Sequence, residues 1–309
     1  MECCKYCKEK EAIKNSHIIP SFVYEWIKKT SSTGYMRTTD EPNIRKQDGL
    51  KSALLCLDCE REFAKIEEVF KKEYFSKVAN YRKSCPEELD ISVDTIKCIY
   101  IMAWRALADA LYFPKDNEYT DAELLQFPLL LDKMKNAIEM GDFTNFRTHA
   151  IPCTKEVLTT LNLPKLPWHI YERSVIAEPR IWDNWERFVL YIQIPFSIIV
   201  FEIVPNSNDL WDGTQLENVD KIVLNKIKTV PSYVGSLVNH FYKGFVDSNN
   251  KISDVQRKKM EEDMKKADPN CGSFKNFGSQ NVAPSILQLF YALNIMREAV
   301  IAEVSTQLS

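Results

Sequence analysis

Two pairs of cysteines near the start of the chain have the spacing of metal ligands. Cys4 and Cys7 form one C-x2-C pair, and Cys56 and Cys59 form the second. Such a pair lets two sulfurs reach one Zn²⁺ ion at about 2.3 Å, and four thiolates complete a tetrahedral shell. We therefore predict a structural zinc site, with Cys3 as a spare ligand for Cys4. The competing interpretation, unrelated buried cysteines, is weaker because the two pairs occur together.

His17 lies between the two cysteine pairs, in the stretch NSHIIPSF at residues 15–22. An unperturbed imidazole has a pKa of about 6.5 and accepts a proton at neutral pH, so His17 is a candidate general base. The sequence leaves two other interpretations open. In one, His17 only hydrogen-bonds the zinc loop, and in the other it replaces a cysteine as a zinc ligand.

The order of these motifs resembles the HNH family of nucleases, part of the His-Me finger group. The residues that carry the resemblance are Cys4, Cys7, His17, Ile18, Ile19, Pro20, Leu55, Cys56 and Cys59. The resemblance implies a treble clef that carries a ββα active site, with His17 as the general base. It also implies that Glu60, after the second pair, binds a catalytic Mg²⁺ or Mn²⁺ ion, for which a carboxylate is a suitable ligand.

The chain departs from the family pattern at three points. Ser16 precedes the histidine, where an acidic metal ligand is usual, and Lys51 stands where the family has an asparagine. The segment between His17 and Cys56 is long, which implies an inserted helix and loop. Asp48, within that insertion, is the candidate for the missing carboxylate.

Basic residues cluster in the same inserted segment, although the whole chain has a net charge of −3 and a pI of about 5.9. The six residues predicted to contact a phosphate backbone are Lys28, Lys29, Arg37, Arg45, Lys46 and Lys51. A local cluster of this kind binds nucleic acid through its phosphates. We expect DNA rather than RNA as the partner, and a solvated loop is the alternative.

The spacing of apolar residues predicts an α+β protein with two domains. The first, residues 1–86, is the small zinc-bound treble clef, with a short helix around residues 21–29 and a long helical pattern after Cys59. The second, residues 87–309, is larger, mostly helical and α+β, and shows no family resemblance. Its role is predicted to be sensing, substrate selection or self-association.

Several elements are predicted within the second domain. They are a helix capped by Asp94 that runs to about Phe113, helix over residues 121–140 with a break at Pro128, two strands that meet near Pro195, a helix from the SDVQ box at 253–256 to Lys266, and an amphipathic helix over 284–307. The last helix is a candidate surface for a homo-oligomer.

Composition excludes other classes of protein. With 8 glycines in 309 residues, the chain has neither of the common glycine-rich phosphate-binding motifs. The apolar runs at 96–113 and 188–204 are interrupted by polar or charged residues, so neither is predicted to span a membrane. Nine cysteines without a secretion signal favour the reducing cytoplasm.

The predicted function is that of a metal-dependent nuclease. A small nuclease joined to a larger unrelated domain resembles bacterial antiviral proteins, so antiviral defence is the expected setting. The alternative is a non-catalytic zinc treble clef that binds nucleic acid or a protein partner.

Overall fold

A computed structural model describes residues 2–31, 33–114, 119–182, 185–217 and 219–266. The helices in these ranges are α1 (Ser21–Thr30), α2 (Leu57–Phe70), α3 (Ser76–Val78), α4 (Val93–Tyr112), α5 (Asp121–Leu124), α6 (Phe127–Met140), α7 (Lys155–Thr160), α8 (His169–Arg173), α9 (Ser232–Asn250) and α10 (Asp254–Lys266). The strands are β1 (Ser16–His17), β2 (Lys51–Ser52), β3 (Glu88–Asp90), β4 (Arg147–Pro152), β5 (Ile176–Trp182), β6 (Arg187–Ile194), β7 (Ser197–Val204) and β8 (Lys221–Val223). Together they confirm the α+β class.

The largest sheet is antiparallel, with strand order β4-β7-β6-β5. Its two central strands, β6 and β7, are the pair that the sequence predicted around Pro195, and they turn through Phe196, which has a φ of 59°. Both strands are buried along nearly their whole length, so the sheet is covered on both faces. Runs of β-branched and aromatic residues suit such strands, because each face needs apolar side chains.

Helix α4 forms the centre of the helical layer and packs against α2, α6 and the sheet. Most of its side chains are buried, including Trp104 and Arg105. Its N-cap is Ser92, whose hydroxyl accepts a hydrogen bond from the Thr95 N–H at 3.2 Å, rather than Asp94 as the sequence predicted. Aspartate and serine are both good N-cap residues. The prediction therefore placed the start of the helix correctly but assigned the cap to the wrong residue.

One predicted helix differs from the structure, and another lies outside the described residues. Pro128 lies in the first turn of α6 and so begins a helix instead of interrupting one, which leaves α5 as a separate single turn. Proline fits a first turn because no helical partner is needed there for its missing N–H. The predicted helix over 284–307 lies outside the described residues.

One hydrophobic core extends across the predicted boundary at residue 86. Tyr74 hydrogen-bonds Ser197 at the start of β7, and Arg173 donates to the Ile27 carbonyl at 2.7 Å. The division into two domains stays a prediction, because a shared core does not test whether either part folds alone. None of the described helices is both long enough and apolar enough to cross a membrane.

Candidate zinc centre and histidine site

The four predicted cysteine ligands converge on one point. Their sulfurs all lie within 4.8 Å of one another, with Cys4 Sγ 3.9 Å from Cys59 Sγ and Cys7 Sγ 3.8 Å from Cys56 Sγ. Sulfurs at the corners of a tetrahedron around Zn²⁺, each about 2.3 Å from the ion, are about 3.8 Å apart. The cluster therefore fits a zinc ion, which these four thiolates would hold in a closed, structural shell.

Local backbone structure positions each pair. Cys56 is the N-cap residue of α2 and Cys59 lies in its first turn, where the helix dipole favours thiolate. The first pair lies on a tight turn, in which the Lys8 N–H donates to the Cys4 carbonyl at 3.0 Å. Lys8 has a φ of 62°, the left-handed conformation that such a knuckle requires.

Three of these cysteines have pKa values that differ from the ordinary value for a thiol. Burial raises the pKa of Cys4 and of Cys59. Burial alone would also raise the pKa of Cys7, but hydrogen bonds from the Glu9 and Lys10 backbone lower it to about 7. Zinc binding requires thiolates, so the ion would displace protons as it enters.

The first cysteine pair is anchored to the helices of the core. Tyr6, between the two cysteines, packs edge-on against Phe63 of α2 at 4.9 Å and against Trp104 of α4 at 5.1 Å. Lys135 of α6 donates to the Tyr6 carbonyl at 3.0 Å. The turn that carries the first cysteine pair is thus built into the main body of the protein.

His17 and Asp48 meet beside this centre. His17 on β1 pairs with Lys51 on β2, and its Nε2 lies 2.8 Å from Asp48 Oδ1. The loop reaches this position because residue 49 is glycine, since a Cβ there would lie 1.9 Å from the ring of Tyr24. Tyr24 in turn stacks on the His17 imidazole with ring centres 5.9 Å apart.

Electrostatics fix the direction of the hydrogen bond between His17 and Asp48. Burial alone would raise the pKa of Asp48, but hydrogen bonds from Lys51, His17 and the Gly49 N–H hold it well below its usual range. Asp48 is therefore a carboxylate at neutral pH and accepts from His17 Nε2–H. The lone pair of His17 Nδ1 is then left to accept a proton, and the side chain is 20% exposed to solvent.

Ser16, which stands where the family has an acidic residue, faces the core. It is 1% exposed, and its hydroxyl accepts a hydrogen bond from the Leu55 N–H at 3.0 Å. This bond ties β1 to the segment just before the second cysteine pair. A serine at this position supports the zinc loop and does not face solvent as a metal ligand would.

Glu60 contacts a different partner from the one predicted. Its Oε2 lies 3.4 Å from Arg105 Nη2, and Glu67 Oε1 accepts from Arg105 Nη1 at 2.6 Å. Arg105 is 1% exposed, so both carboxylates neutralise a buried guanidinium. Among the hydrogen bonds and ion pairs of the described residues, none joins Glu60 to His17 or Asp48.

Each of the six predicted phosphate-binding residues has a partner within the protein. The pairs are Lys28 with the Gln47 carbonyl, Lys29 with Glu25, Arg37 with Gln256, Arg45 with Asp263, Lys46 with Glu41, and Lys51 with Asp48. Arg37 and Arg45 thereby dock the inserted loop on α10. The sequence carried no signal for this contact, because it joins residues more than 200 positions apart.

The other described histidines lie away from this site. His149 is buried, stacks on Trp211 at 3.7 Å and lies 3.4 Å from Glu202, while Thr214 bonds its Nδ1 at 3.0 Å. His240, on α9, is exposed and contacts Arg180. Among the described residues, the cysteine cluster is the one convergent group of three or more potential metal ligands.

Comparisons with models of protein families, with curated proteins and with solved structures give no match for this chain. The resemblance to HNH nucleases therefore rests on the motif residues alone, and the function has to be inferred from the geometry of the site.

Proposed function

We propose that the chain is a nuclease in which His17 and Asp48 hydrolyse phosphodiester bonds, with DNA as a better substrate than RNA. One observation carries the proposal, the 2.8 Å hydrogen bond from His17 Nε2 to Asp48, on the strand that Ser16 ties to Leu55, the residue before the second cysteine pair. A carboxylate that fixes the tautomer of a solvent-accessible imidazole is a common arrangement for a general base.

A zinc treble clef is the scaffold that we propose for this site. The order of elements supports it, since a cysteine knuckle is followed by the paired strands β1 and β2 and then by α2, which carries the second cysteine pair. Zinc would tie the knuckle to the start of α2. Ser16 accepts from the Leu55 N–H next to the second pair, so β1, and with it His17, is tied to the same segment of chain.

The proposed chemistry uses His17 as base and Asp48 as the group that orients it. A water molecule gives a proton to His17 Nδ1 while its oxygen forms a new bond to phosphorus. The bond from phosphorus to the leaving ester oxygen breaks, and that oxygen takes up the proton held by the imidazolium. Asp48 stabilises the imidazolium as it forms, since the two groups then carry opposite charges.

The catalytic Mg²⁺ or Mn²⁺ ion implied by the resemblance fits poorly with the residues as they lie. Lys51 Nζ is 2.6 Å from Asp48 Oδ2, and the Gly49 N–H and His17 share Oδ1. Glu60 Oε2 faces the buried Arg105, which leaves only Oε1 of this side chain without a hydrogen-bond partner among the described residues. The proposed chemistry therefore uses no such ion. A requirement for Mg²⁺ or Mn²⁺ stays a prediction, and a cleavage assay with and without metal tests it.

The test is cleavage of supercoiled plasmid, single-stranded DNA and RNA by the purified protein, in EDTA, Mg²⁺ or Mn²⁺. We expect nicking of plasmid and a loss of about 100-fold or more in the Asp48→Asn variant, the scale of general-base catalysis. An amide keeps the shape of Asp48 but cannot stabilise an imidazolium. Failure to cleave any substrate under all three conditions would overturn the proposal.

A second candidate function is a non-catalytic zinc module that binds nucleic acid or a protein. The observation that favours it is the pairing of Asp48 with Lys51 and of Glu60 with Arg105, because these cations already neutralise the two carboxylates that a catalytic metal would need. Saturable DNA binding that His17→Ala does not weaken, in a protein without cleavage activity, would support this candidate instead.

The setting of the activity is part of the same proposal. A cytoplasmic location is inferred from the two C-x2-C pairs, because paired cysteines bind metal more often than they form disulfides in a reducing compartment. A role in antiviral defence is inferred only from the pairing of a small nuclease with a larger unrelated part. Self-association through the predicted helix over 284–307 would be tested by sedimentation of the full chain.

A further inference from the structure

A cleft of about 610 Å³ lies away from His17, where three segments of the chain meet. They are the loop that follows α3, the first turns of α7, and residues 224–228 after β8. Small-molecule sites in proteins have volumes of about 300–1,000 Å³ and often lie where different parts of a fold meet. The size of this cleft is therefore that of a site for a small ligand.

The wall of the cleft has more positive than negative groups. Lys83, Lys155 and Lys228, one from each segment, line it together with two carboxylates, Glu87 and Glu156. Within the described part of the chain, none of the three lysines forms an ion pair with a carboxylate. Three ammonium groups against two carboxylates leave an excess of one positive charge, which favours an anion.

Aromatic rings form the apolar part of the same wall. Trp168 is half-buried and lies 6.0 Å from Lys155 Nζ, and Tyr81 meets Phe196 edge-on at 5.2 Å. A planar ring of a ligand is stabilised by stacking on an aromatic side chain. Asn225, also in the lining, offers an amide to the polar edge of such a ring.

The protonation of the two cysteines in the cleft favours reversible binding of a ligand over covalent chemistry. Burial raises the pKa of Cys85 to about 11, and it also raises the pKa of Cys153. Both sulfurs are then thiols at neutral pH, and a thiol is a far weaker nucleophile than a thiolate.

We propose that this cleft binds a nucleotide, with its phosphates at Lys83, Lys155 and Lys228 and its base on Trp168. Lysine ammonium groups bind phosphate as point charges, and three of them suit a multiply charged group better than a single carboxylate. Both the lysines and the aromatic side chains decide the class of ligand, because a simple anion would contact the lysines but not the aromatic surface. This site is separate from the hydrolytic centre, and neither proposal depends on the other.

The test is equilibrium binding of ATP, GTP, CTP and UTP to the full-length protein, measured by calorimetry at low and at moderate salt. We expect saturable binding of at least one of them, weakened by salt and at least ten-fold weaker in the Lys155→Gln/Lys228→Gln double variant. The matched control is Lys165→Gln/Lys226→Gln, which removes two exposed lysines near the same sequence positions but outside the cleft.

Two further probes separate the parts of the ligand. Pyrophosphate and the unphosphorylated nucleoside should each bind more weakly than the nucleotide, and Trp168→Leu should reduce nucleotide binding without affecting pyrophosphate. The proposal is overturned by absence of saturable binding of all four nucleotides at millimolar concentration. It is also overturned if the control variant weakens binding as much as the cleft variant does.

Discussion

His17 and His149 show how the surroundings of an imidazole decide what it can do. Both lie near a carboxylate, but His17 has 20% of its side chain in solvent while His149 has 1%. Solvent therefore reaches the first imidazole and is excluded from the second. The hydroxyl, imidazole and carboxylate of Thr214, His149 and Glu202 would otherwise look like a catalytic set, and burial assigns them to the core.

The pH dependence of stability should report on His149. Burial lowers the pKa of its imidazole below the ordinary 6.5, so the folded state binds this proton less readily than the unfolded state. Stability is therefore complete above about pH 6.5 and is lost as the pH falls below it. We expect the melting temperature of the wild type to fall more steeply between about pH 7 and pH 5 than that of His149→Gln.

The comparison for His149 has to include the contribution of His169. Burial also lowers the pKa of His169, which contributes in the same direction, so part of the slope should remain in the variant. At pH 7.5, His149→Gln should itself cost about 1–3 kcal/mol, because Thr214 and Glu202 lose a buried partner. Equal slopes in wild type and His149→Gln would contradict this assignment.

We expect the four-cysteine cluster to determine whether helix α2 and the strand pair β1–β2 keep their positions in the fold. We expect about one zinc per chain in protein purified without added metal, and loss of that zinc in Cys56→Ser. Because structural zinc contributes folding free energy, chelation should also lower the melting temperature. The measurement is metal analysis together with thermal unfolding of the same samples.

Cys3→Ser is the matched control for the zinc prediction. Cys3 is exposed and does not belong to the cluster, so this variant should keep both its zinc and its melting temperature. Loss of zinc from Cys3→Ser, or a full equivalent of zinc in Cys56→Ser, would show that the ligands are not those in the cluster.

A second contact between elements involves the inserted loop and α10. Tyr35 and Arg45 both bond Asp263, and Asn43 bonds the Lys251 carbonyl and the Ser253 N–H. We expect Asp263→Asn to speed hydrogen exchange in the loop and in α10, with little change in global stability, because partly exposed ion pairs contribute about 1 kcal/mol or less. Glu262→Gln, a neighbouring substitution on the same helix, should have no effect. Protection unchanged in Asp263→Asn would mean that other contacts hold the helix.

Local patterns in the sequence predicted parts of the structure correctly. The spacing of the cysteines predicted the cluster, and the β-branched runs around Pro195 predicted β6 and β7, because both depend on neighbouring residues. Strands β4 and β5 were missed, since each contains a proline and lacks clear alternation. The partners of Glu60, Arg37 and Arg45 were out of reach, because side-chain pairing between distant segments is set by tertiary packing.

In the molecule as a whole, Arg105 connects helix α2, which carries Cys59 of the cysteine cluster, to helix α4. It is buried on α4 and holds Glu60 and Glu67 of α2, while its guanidinium lies 5.4 Å from the ring of Phe63. We expect Arg105→Ala to lower the free energy of unfolding by about 2–5 kcal/mol, because it removes a large buried side chain and leaves two half-buried carboxylates without a counter-charge. Arg61→Ala, which removes an exposed arginine of α2, should cost less than about 1 kcal/mol. Similar losses in urea titrations of the two variants would contradict this role for Arg105.

The central claim, that His17 is the catalytic base, is tested most directly by the plasmid-nicking rate of His17→Ala. The comparison is with wild type and with His240→Gln, in preparations shown to contain equal zinc. We predict a loss of about 100-fold or more in His17→Ala and none in His240→Gln. A wild-type rate in zinc-replete His17→Ala would contradict the claim.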